Sequence, residues 1–389
     1  MRSTSENSSE TNDRHLPEHT RAAGRIGVFL PALEGGGERV MLDLAQGFWR
    51  RGLQVDLILS IARRGDPFSS QVPSGIRMIN LNALGAGARL RGLVAYLRRT
   101  RPDALITFYD FFNIAAIARR IARAPTLIIS GVHNTVSELF RQDDSFKMRA
   151  RRILFGPLLH LSDHVVAVSR GVAADLESAG IMKTDKTVVI YNPVLLDHIL
   201  LRAGERVSHP FFSPGAPPVV IGMGQLAPRK GFTTLIEAFA LLRQKLPATL
   251  TILGEGPQRQ ELESLAAQRG ISECVSFPGL VENPYAYLAR ASAFVLSSRF
   301  EGLGMALVEA LALGVPCVST NCPSGPAEIL ENGMLGALVP VDDPAALARA
   351  IADALHGPRL NGRVRIVRER FSLDRAITQY LALIYPPVG

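Results

Sequence analysis

Two carboxylates eight positions apart, Glu301 and Glu309, sit on a stretch whose parts read as strand, tight turn and helix. Ala293-Phe294-Val295-Leu296 is an uninterrupted apolar run of the kind a buried parallel strand requires. Gly302 and Gly304 permit the turn, and Met305 to Leu313 repeat apolar residues at helical spacing. The pattern predicts Glu301 on the loop beyond the strand's carboxyl end and Glu309 inside the helix, a little over one turn from its start. In open α/β sheets that crevice binds ligands. The free N–H groups around Gly302, Leu303 and Gly304, at the positive end of the helix dipole, favour an anion, phosphate above all. A carboxylate beside phosphate would repel it, so the two glutamates should face neutral hydroxyls as acceptors of charge-assisted hydrogen bonds. A ligand with a diphosphate in the middle and a sugar at each end meets both demands: a nucleotide-sugar. Spacing alone leaves open a plainer reading, with Glu309 solvated and Glu301 merely stabilising the dipole.

Other residues point the same way. Val219-Val220-Ile221-Gly222-Met223-Gly224 reads as a strand, and the loop after it carries Arg229 and Lys230 ahead of a helix over Phe232–Leu246. A guanidinium can fork across two phosphate oxygens while an ammonium adds a compact charge. The first predicted strand, Arg25–Leu30, leads into Gly35-Gly36-Gly37 and then a helix over Val40–Arg51, so Gly36 and Gly37 would let backbone N–H groups approach a phosphate or sugar. This run is not the GxGxxG fingerprint, which argues against NAD. His133 and Asn134 follow another strand end, where turn formation alone accounts for Asn134. Ser169 has the type and position of a helix N-cap.

The elements that must carry these residues alternate: strands at Val55–Ser60, Arg77–Leu81, Ala104–Phe108, Leu127–Ser130 and Val165–Val168 are separated by helical patterns, which argues for a doubly wound parallel sheet. A chain of 389 residues with 47% hydrophobic and 20% charged residues fits two soluble globular domains. Asn192-Pro193 interrupts regular structure and suits a hinge. The expected layout is a disordered polar tail over 1–24, an N-terminal domain over 25–196, a linker over 197–217 rich in Pro, Ser and Gly, a C-terminal domain over 218–371 and a final helix within 372–389. No apolar run reaches the ~18 residues of a membrane-spanning helix. Cys274, Cys317 and Cys322 have no metal-ligand spacing and suit reduced thiols in the cytoplasm. The net charge of +8 is uneven: residues 77–152 carry 14 basic against 5 acidic side chains. Nucleic-acid motifs are lacking, so this excess reads either as ordinary solvation or as affinity for an anionic membrane face. The basic helix at Arg89–Arg99 admits both readings.

The Glu–seven residues–Glu stretch resembles the signature of family 4 of the retaining glycosyltransferases, two-domain enzymes of the GT-B fold. Met223–Gly231 with Arg229-Lys230, Leu253–Pro257 and Cys322–Ile329 stand in that family's order, and the resemblance spans about residues 25 to 385. It implies two Rossmann-like domains facing a cleft, with the last helix crossing back to the first domain. It further implies that Arg229 and Lys230 bind the donor diphosphate, that Glu301 and His133 meet the donor sugar near the reacting carbon, that Glu309 holds the ribose, and that the Gly36-Gly37 loop faces the donor. The reaction implied is transfer of a sugar, expected from a UDP-sugar, to a hydroxyl of a lipid-linked or polysaccharide glycan with anomeric configuration retained. No Asp-x-Asp motif follows a strand, so neither metal nor cofactor is expected. The residues around Phe140–Leu161 are implied to shape the acceptor side. The expected setting is cytoplasmic, peripheral on the inner membrane. A GT-B sugar-nucleotide epimerase and an inactive membrane-associated scaffold remain alternatives.

Overall fold

The β-branched and aliphatic runs pair into two all-parallel sheets. The computed structural model describes residues 24–33, 35–62, 68–108, 113–142, 145–357 and 363–387. The expected tail over 1–24 lies outside these residues except for Gly24. The first sheet contains β1 (Arg25–Leu30), β2 (Gln54–Leu59), β3 (Arg77–Asn80), β4 (Ala104–Phe108), β5 (Leu127–Val132), β6 (His164–Ala167) and β7 (Thr187–Val189), in the order β3-β2-β1-β4-β5-β6-β7. The second contains β8 (Val219–Met223), β9 (Thr249–Leu253), β10 (Val275–Gly279), β11 (Ala293–Leu296), β12 (Cys317–Thr320) and β13 (Ala337–Val339), in the order β10-β9-β8-β11-β12-β13. Strand order reverses between β1 and β4 in one sheet and between β8 and β11 in the other. Crevices at such switch points are where doubly wound sheets take ligands. The loop to Gly36 leaves β1, the loop to Lys230 leaves β8, and Glu301 follows β11. Topology alone therefore gathers the candidate residues.

The expected two-domain GT-B architecture is present, with some boundaries moved. The helix after β1 spans Gly36–Arg50, so Gly36 and Gly37 form its first turn rather than a free loop. Gly35, at φ 89°, supplies the bend, and the missing side chain of Gly37 admits the Phe108 ring, whose Cζ would lie 2.3 Å from a Cβ. The stretch expected as a linker contains a helix, Leu196–Ala203, with Leu196 and Ile199 buried. The helix after β9 starts at Arg259, two residues beyond Pro257. The basic helix spans Ala86–Thr100, and its Leu93, Tyr96 and Leu97 are packed into the core with Ile58 and Leu105 of the sheet. Its apolar face is thus covered by the sheet, as in an ordinary surface helix.

One hydrophobic cluster runs through both domains, joining Val132, Val136 and Val172 to Leu303, Ile329 and Phe371. The final helix, Leu373–Ile384, returns to the first domain: Ile377 and Tyr380 pack with Phe48, Tyr380 at 6.1 Å and edge to face. The two chain crossovers run side by side, Val194 donating its N–H to the Phe371 carbonyl at 2.8 Å. Among the described residues no helix is long and apolar enough to cross a membrane.

Candidate active site

The loop after β8 and the loop after β11 are stitched together through their backbones. Arg299 N–H donates to the Arg229 carbonyl at 2.8 Å, and Ser297 Oγ donates to the Lys230 carbonyl at 2.9 Å. Gly231, at φ 62°, sits so close that a Cβ would fall 2.1 Å from the Ser297 carbonyl oxygen. This contact carries Lys230 to Glu301: Nζ lies 2.6 Å from Oε1, which also accepts from Ser298 Oγ at 2.6 Å. Arg229 stands 3.9 Å from Oε2. Glu301 is only 5% exposed. Burial alone would raise its carboxyl, but the Lys230 and Arg229 charges and the hydrogen bonds from Lys230 and Ser298 outweigh it and hold the group below the usual carboxylate range. Glu301 is therefore ionised and strongly held at neutral pH. Behind it, burial and then the Glu301 charge push the Cys322 thiol up to about 12, so this sulfur stays protonated.

The opposite wall comes from the first domain. His133, one residue beyond β5, is buried with its ring 4.4 Å from that of Phe108, edge to face. Among the described residues neither ring nitrogen has a hydrogen-bond partner. Burial lowers its pKa to about 3, so the ring is neutral. A pocket of about 30 Å³, water-sized, opens beside it, lined in part by Thr107, Ser130 and Leu139. The two walls touch: Thr135 Oγ1 donates to the Glu301 carbonyl at 2.6 Å, and Ser169 Oγ donates to the Gly302 carbonyl at 2.7 Å. Ser169 is the helix N-cap as expected, accepting from Val172 N–H at 3.0 Å.

Beyond Gly302 and Leu303 the backbone turns at Gly304, φ 100°, into the helix Met305–Ala312. Among the described residues no side chain caps that helix, which leaves its first-turn amides to be met otherwise. Glu309 belongs to a different neighbourhood from Glu301. It is half-buried on a cleft of about 1250 Å³ between the domains, lined among others by Gly36, Arg39, Met223, Val281, Tyr285 and Glu309 itself. Glu301, Lys230, Arg229 and His133 do not line it. Tyr285 Oη reaches Glu309 at 3.5 Å. Burial first, then the Asp43 carboxylate of the first domain, raises Glu309 to about 7 against the opposing Arg39 charge and the Tyr285 hydrogen bond. Asp43 is raised to about 6 by burial, although Arg39 lies 3.1 Å away.

The structure thus joins Lys230, Glu301 and, more loosely, Arg229, sets Gly302 against the His133 backbone, and holds Glu309 and Gly36 on the larger cleft. Ser298, Tyr285, Arg39 and Asp43 were not foreseen. Ser298 stands three residues before Glu301 in the same loop, a local signal that could have been read; Asp43 and Tyr285 come from distant segments and carry none. Among the described residues no group of three His, Cys, Asp or Glu side chains could hold a metal ion.

Two family models match the chain. Residues 34–198 match the one described as Glycosyltransferase Family 4, and residues 206–370 the one described as Glycosyl transferases group 1. A Campylobacter jejuni protein named N-acetylgalactosamine-N,N'-diacetylbacillosaminyl-diphospho-undecaprenol 4-alpha-N-acetylgalactosaminyltransferase is 27% identical over 86% of this chain and 91% of its own. The Escherichia coli lipopolysaccharide 1,6-galactosyltransferase is 25% identical over 83% and 87%. A Rhizobium meliloti lipopolysaccharide core biosynthesis glycosyltransferase reaches 36% identity, but over 44% of this chain and 51% of its own. Among solved structures, Anabaena HepE in complex with UDP and glucose superposes with a TM-score of 0.76 at 21% identity, covering 93% of this chain and 99% of that one.

Proposed function

The chain belongs to the family 4 glycosyltransferases, and from that premise we propose that it moves a sugar from a nucleotide-sugar to a hydroxyl of a lipid-linked glycan, with retention and without a metal. The observation that carries this reading is the buried Glu301 clamped by Lys230 beside an uncapped helix N-terminus and against the His133 loop. The glycosidic bond to phosphate breaks, a bond from the sugar carbon to the acceptor oxygen forms, and the acceptor's proton passes to the departing phosphate oxygen. As that phosphate gains charge, Arg229, Lys230 and the amides at Gly302–Met305 stabilise it, and Glu301 orients the sugar hydroxyls. A neutral His133 suits contact with a sugar hydroxyl better than with the diphosphate. The names of the Campylobacter and Escherichia relatives, which act on undecaprenyl-linked glycan and lipopolysaccharide, support a lipid-linked acceptor. Exposed Ile153 and Leu154, beside exposed Arg152 on helix Phe146–Leu159, support peripheral contact with an anionic lipid face.

The test is turnover. The protein is incubated with UDP-sugars and a bacterial membrane-lipid extract, with and without EDTA, and nucleotide release and product anomer are measured. Sugar transfer insensitive to EDTA with the donor's configuration is expected. An epimerised sugar, or no turnover with any donor, rejects the reading.

Glu309 gives a pH prediction. The folded chain keeps the Glu309 proton up to about pH 7, above the ordinary value of 4.5. Its ionisation therefore works against stability as pH rises through that window. A ribose diol donates more strongly to the carboxylate than to the neutral acid, so UDP affinity should rise as pH increases through about 7, with proton release. Calorimetry between pH 5.5 and 8.5 should show this slope in the wild type and its loss in E309Q. An unchanged slope in E309Q would remove Glu309 from the ribose site.

A further inference from the structure

The helix Arg170–Ser178 of the first domain is capped by the second. Glu328, on the short helix Pro326–Ile329, reaches across the interface and accepts the N–H of Arg170 at 2.9 Å and of Gly171 at 2.7 Å, one on each carboxylate oxygen. With Ser169 meeting Val172 N–H, three of the four otherwise unpaired donors of that helix are satisfied, two of them by another domain. A carboxylate there also faces the positive end of the helix dipole. The same carboxylate takes the Tyr191 hydroxyl at 3.0 Å, and the Glu328 carbonyl accepts from Arg370 Nη2 at 2.8 Å. Tyr191 belongs to the first crossover between domains and Arg370 to the second. Glu328 therefore ties together the acceptor-side helix and both connections.

The segment just before it forms the interface with the catalytic loop. Gly325, at φ 90°, lies so close to Leu303 that a Cβ would fall 1.8 Å from its carbonyl oxygen, and Gly171 is packed on Ser324 with only 2.7 Å between a Cβ and Ser324 Cα. Thr135 Oγ1 lies 3.3 Å from Ser324 Oγ. A shift of Glu328 away from Arg170 would move Ser324, and with it the contact between the Thr135 and Glu301 loops.

We propose that Glu328 is a positioning residue for sugar transfer: its carboxylate locks the first domain onto the second and so fixes the His133 loop against the Glu301 loop. The consequence for rate rests on the glycosyl-transfer reading; the lock itself does not. Glutamine supplies one acceptor oxygen, and its NH₂ would confront an amide donor, so E328Q should break half of the clamp and E328A all of it.

The test uses the full chain as wild type, E328Q and E328A. Hydrogen exchange should show faster exchange of the Arg170 and Gly171 amides in both variants, with the β8–β11 strands unchanged. The transfer rate at saturating donor and acceptor should fall about 10-fold in E328Q and up to about 10²-fold in E328A, the scale of a 1 Å misplacement. UDP affinity should stay within about 2-fold. Unchanged exchange at Arg170 and Gly171 overturns the lock. Faster exchange with an unaltered rate, or UDP affinity falling in step with the rate, overturns the positioning role. A wild type that transfers no sugar defeats the functional reading instead, and the exchange measurement still decides the lock.

Discussion

Replacing Lys230 with alanine is expected to cut the rate of sugar transfer by at least ~10²-fold, as loss of one preorganised charge-stabilising group does elsewhere. The structure gives the loss two components. Lys230 would supply positive charge to the departing diphosphate, and it also holds Glu301 through a 2.6 Å ion pair. With Glu301 5% exposed, the partner left behind is a buried carboxylate, and breaking such a pair costs about 3–5 kcal/mol. Arg229, at 3.9 Å, is too far to replace the ammonium without moving. In the variant burial is opposed only by the Arg229 charge and the Ser298 hydrogen bond, and the Glu301 carboxyl should shift upward from its wild-type position.

The pH dependence separates this account from a merely loosened loop. In the wild type Glu301 lies below its ordinary value of 4.5, so its contribution to stability is present above that value and is lost as pH falls through the depressed pKa. In K230A the Glu301 carboxyl is expected to hold its proton to a higher pH than in the wild type, so part of that contribution is lost. The melting-temperature gap between wild type and K230A should widen as pH rises from below the ordinary value of 4.5 towards neutral. A constant gap, or a near-normal rate, would mean that Glu301 and Lys230 do not work as a pair.

How much of this arrangement could be read from the chain depends on the range of the interaction. Strand ends at Phe108, Met223 and Leu296, the helix from Met305 and the returning helix Leu373–Ile384 follow from local apolar patterns, which register burial directly. Glu301 and Lys230 were legible because each stands just beyond a strand at a switch point. That they bind one another was not, since the pairing spans 71 positions and depends on Gly231 closing onto Ser297. The helix start at Gly36 was missed because glycine is a poor helix former; one position on, at Gly37, the Phe108 ring fills the space that a Cβ would take. Glu328 is, by local pattern, one more first-turn acid on a short helix. Its partners, Arg170, Gly171 and Tyr191, lie 137 to 158 residues away and carry no periodic signal. Local patterns therefore reveal which groups stand at the crevice, while contacts between domains decide which of them meet.

Gly302→Ala tests that distinction most directly, because it adds one methyl group and removes no functional group. A Cβ at 302 would lie 1.9 Å from the His133 carbonyl oxygen, 2.6 Å from its carbonyl carbon and 3.2 Å from Asn134 Cα. All three are backbone atoms, so no side chain can swing aside, and an ordinary contact of 3.4 Å or more requires the loops to part by over 1 Å. That movement strains the hydrogen bonds of Thr135 to the Glu301 carbonyl and of Ser169 to the Gly302 carbonyl. The turnover number of G302A should fall by about 10²-fold or more, the effect of a misplacement of this size. Glu309, Tyr285 and Val281 lie on the other cleft wall and are untouched by it. UDP affinity should fall by less than turnover does, because the Gly302 amide proposed to meet the diphosphate moves with the loop while these cleft residues stay in place. A variant that keeps its turnover would show that the two loops are not in contact during transfer, whereas one whose UDP affinity falls as far as its turnover would show that donor binding, not the seam between domains, accounts for the whole loss.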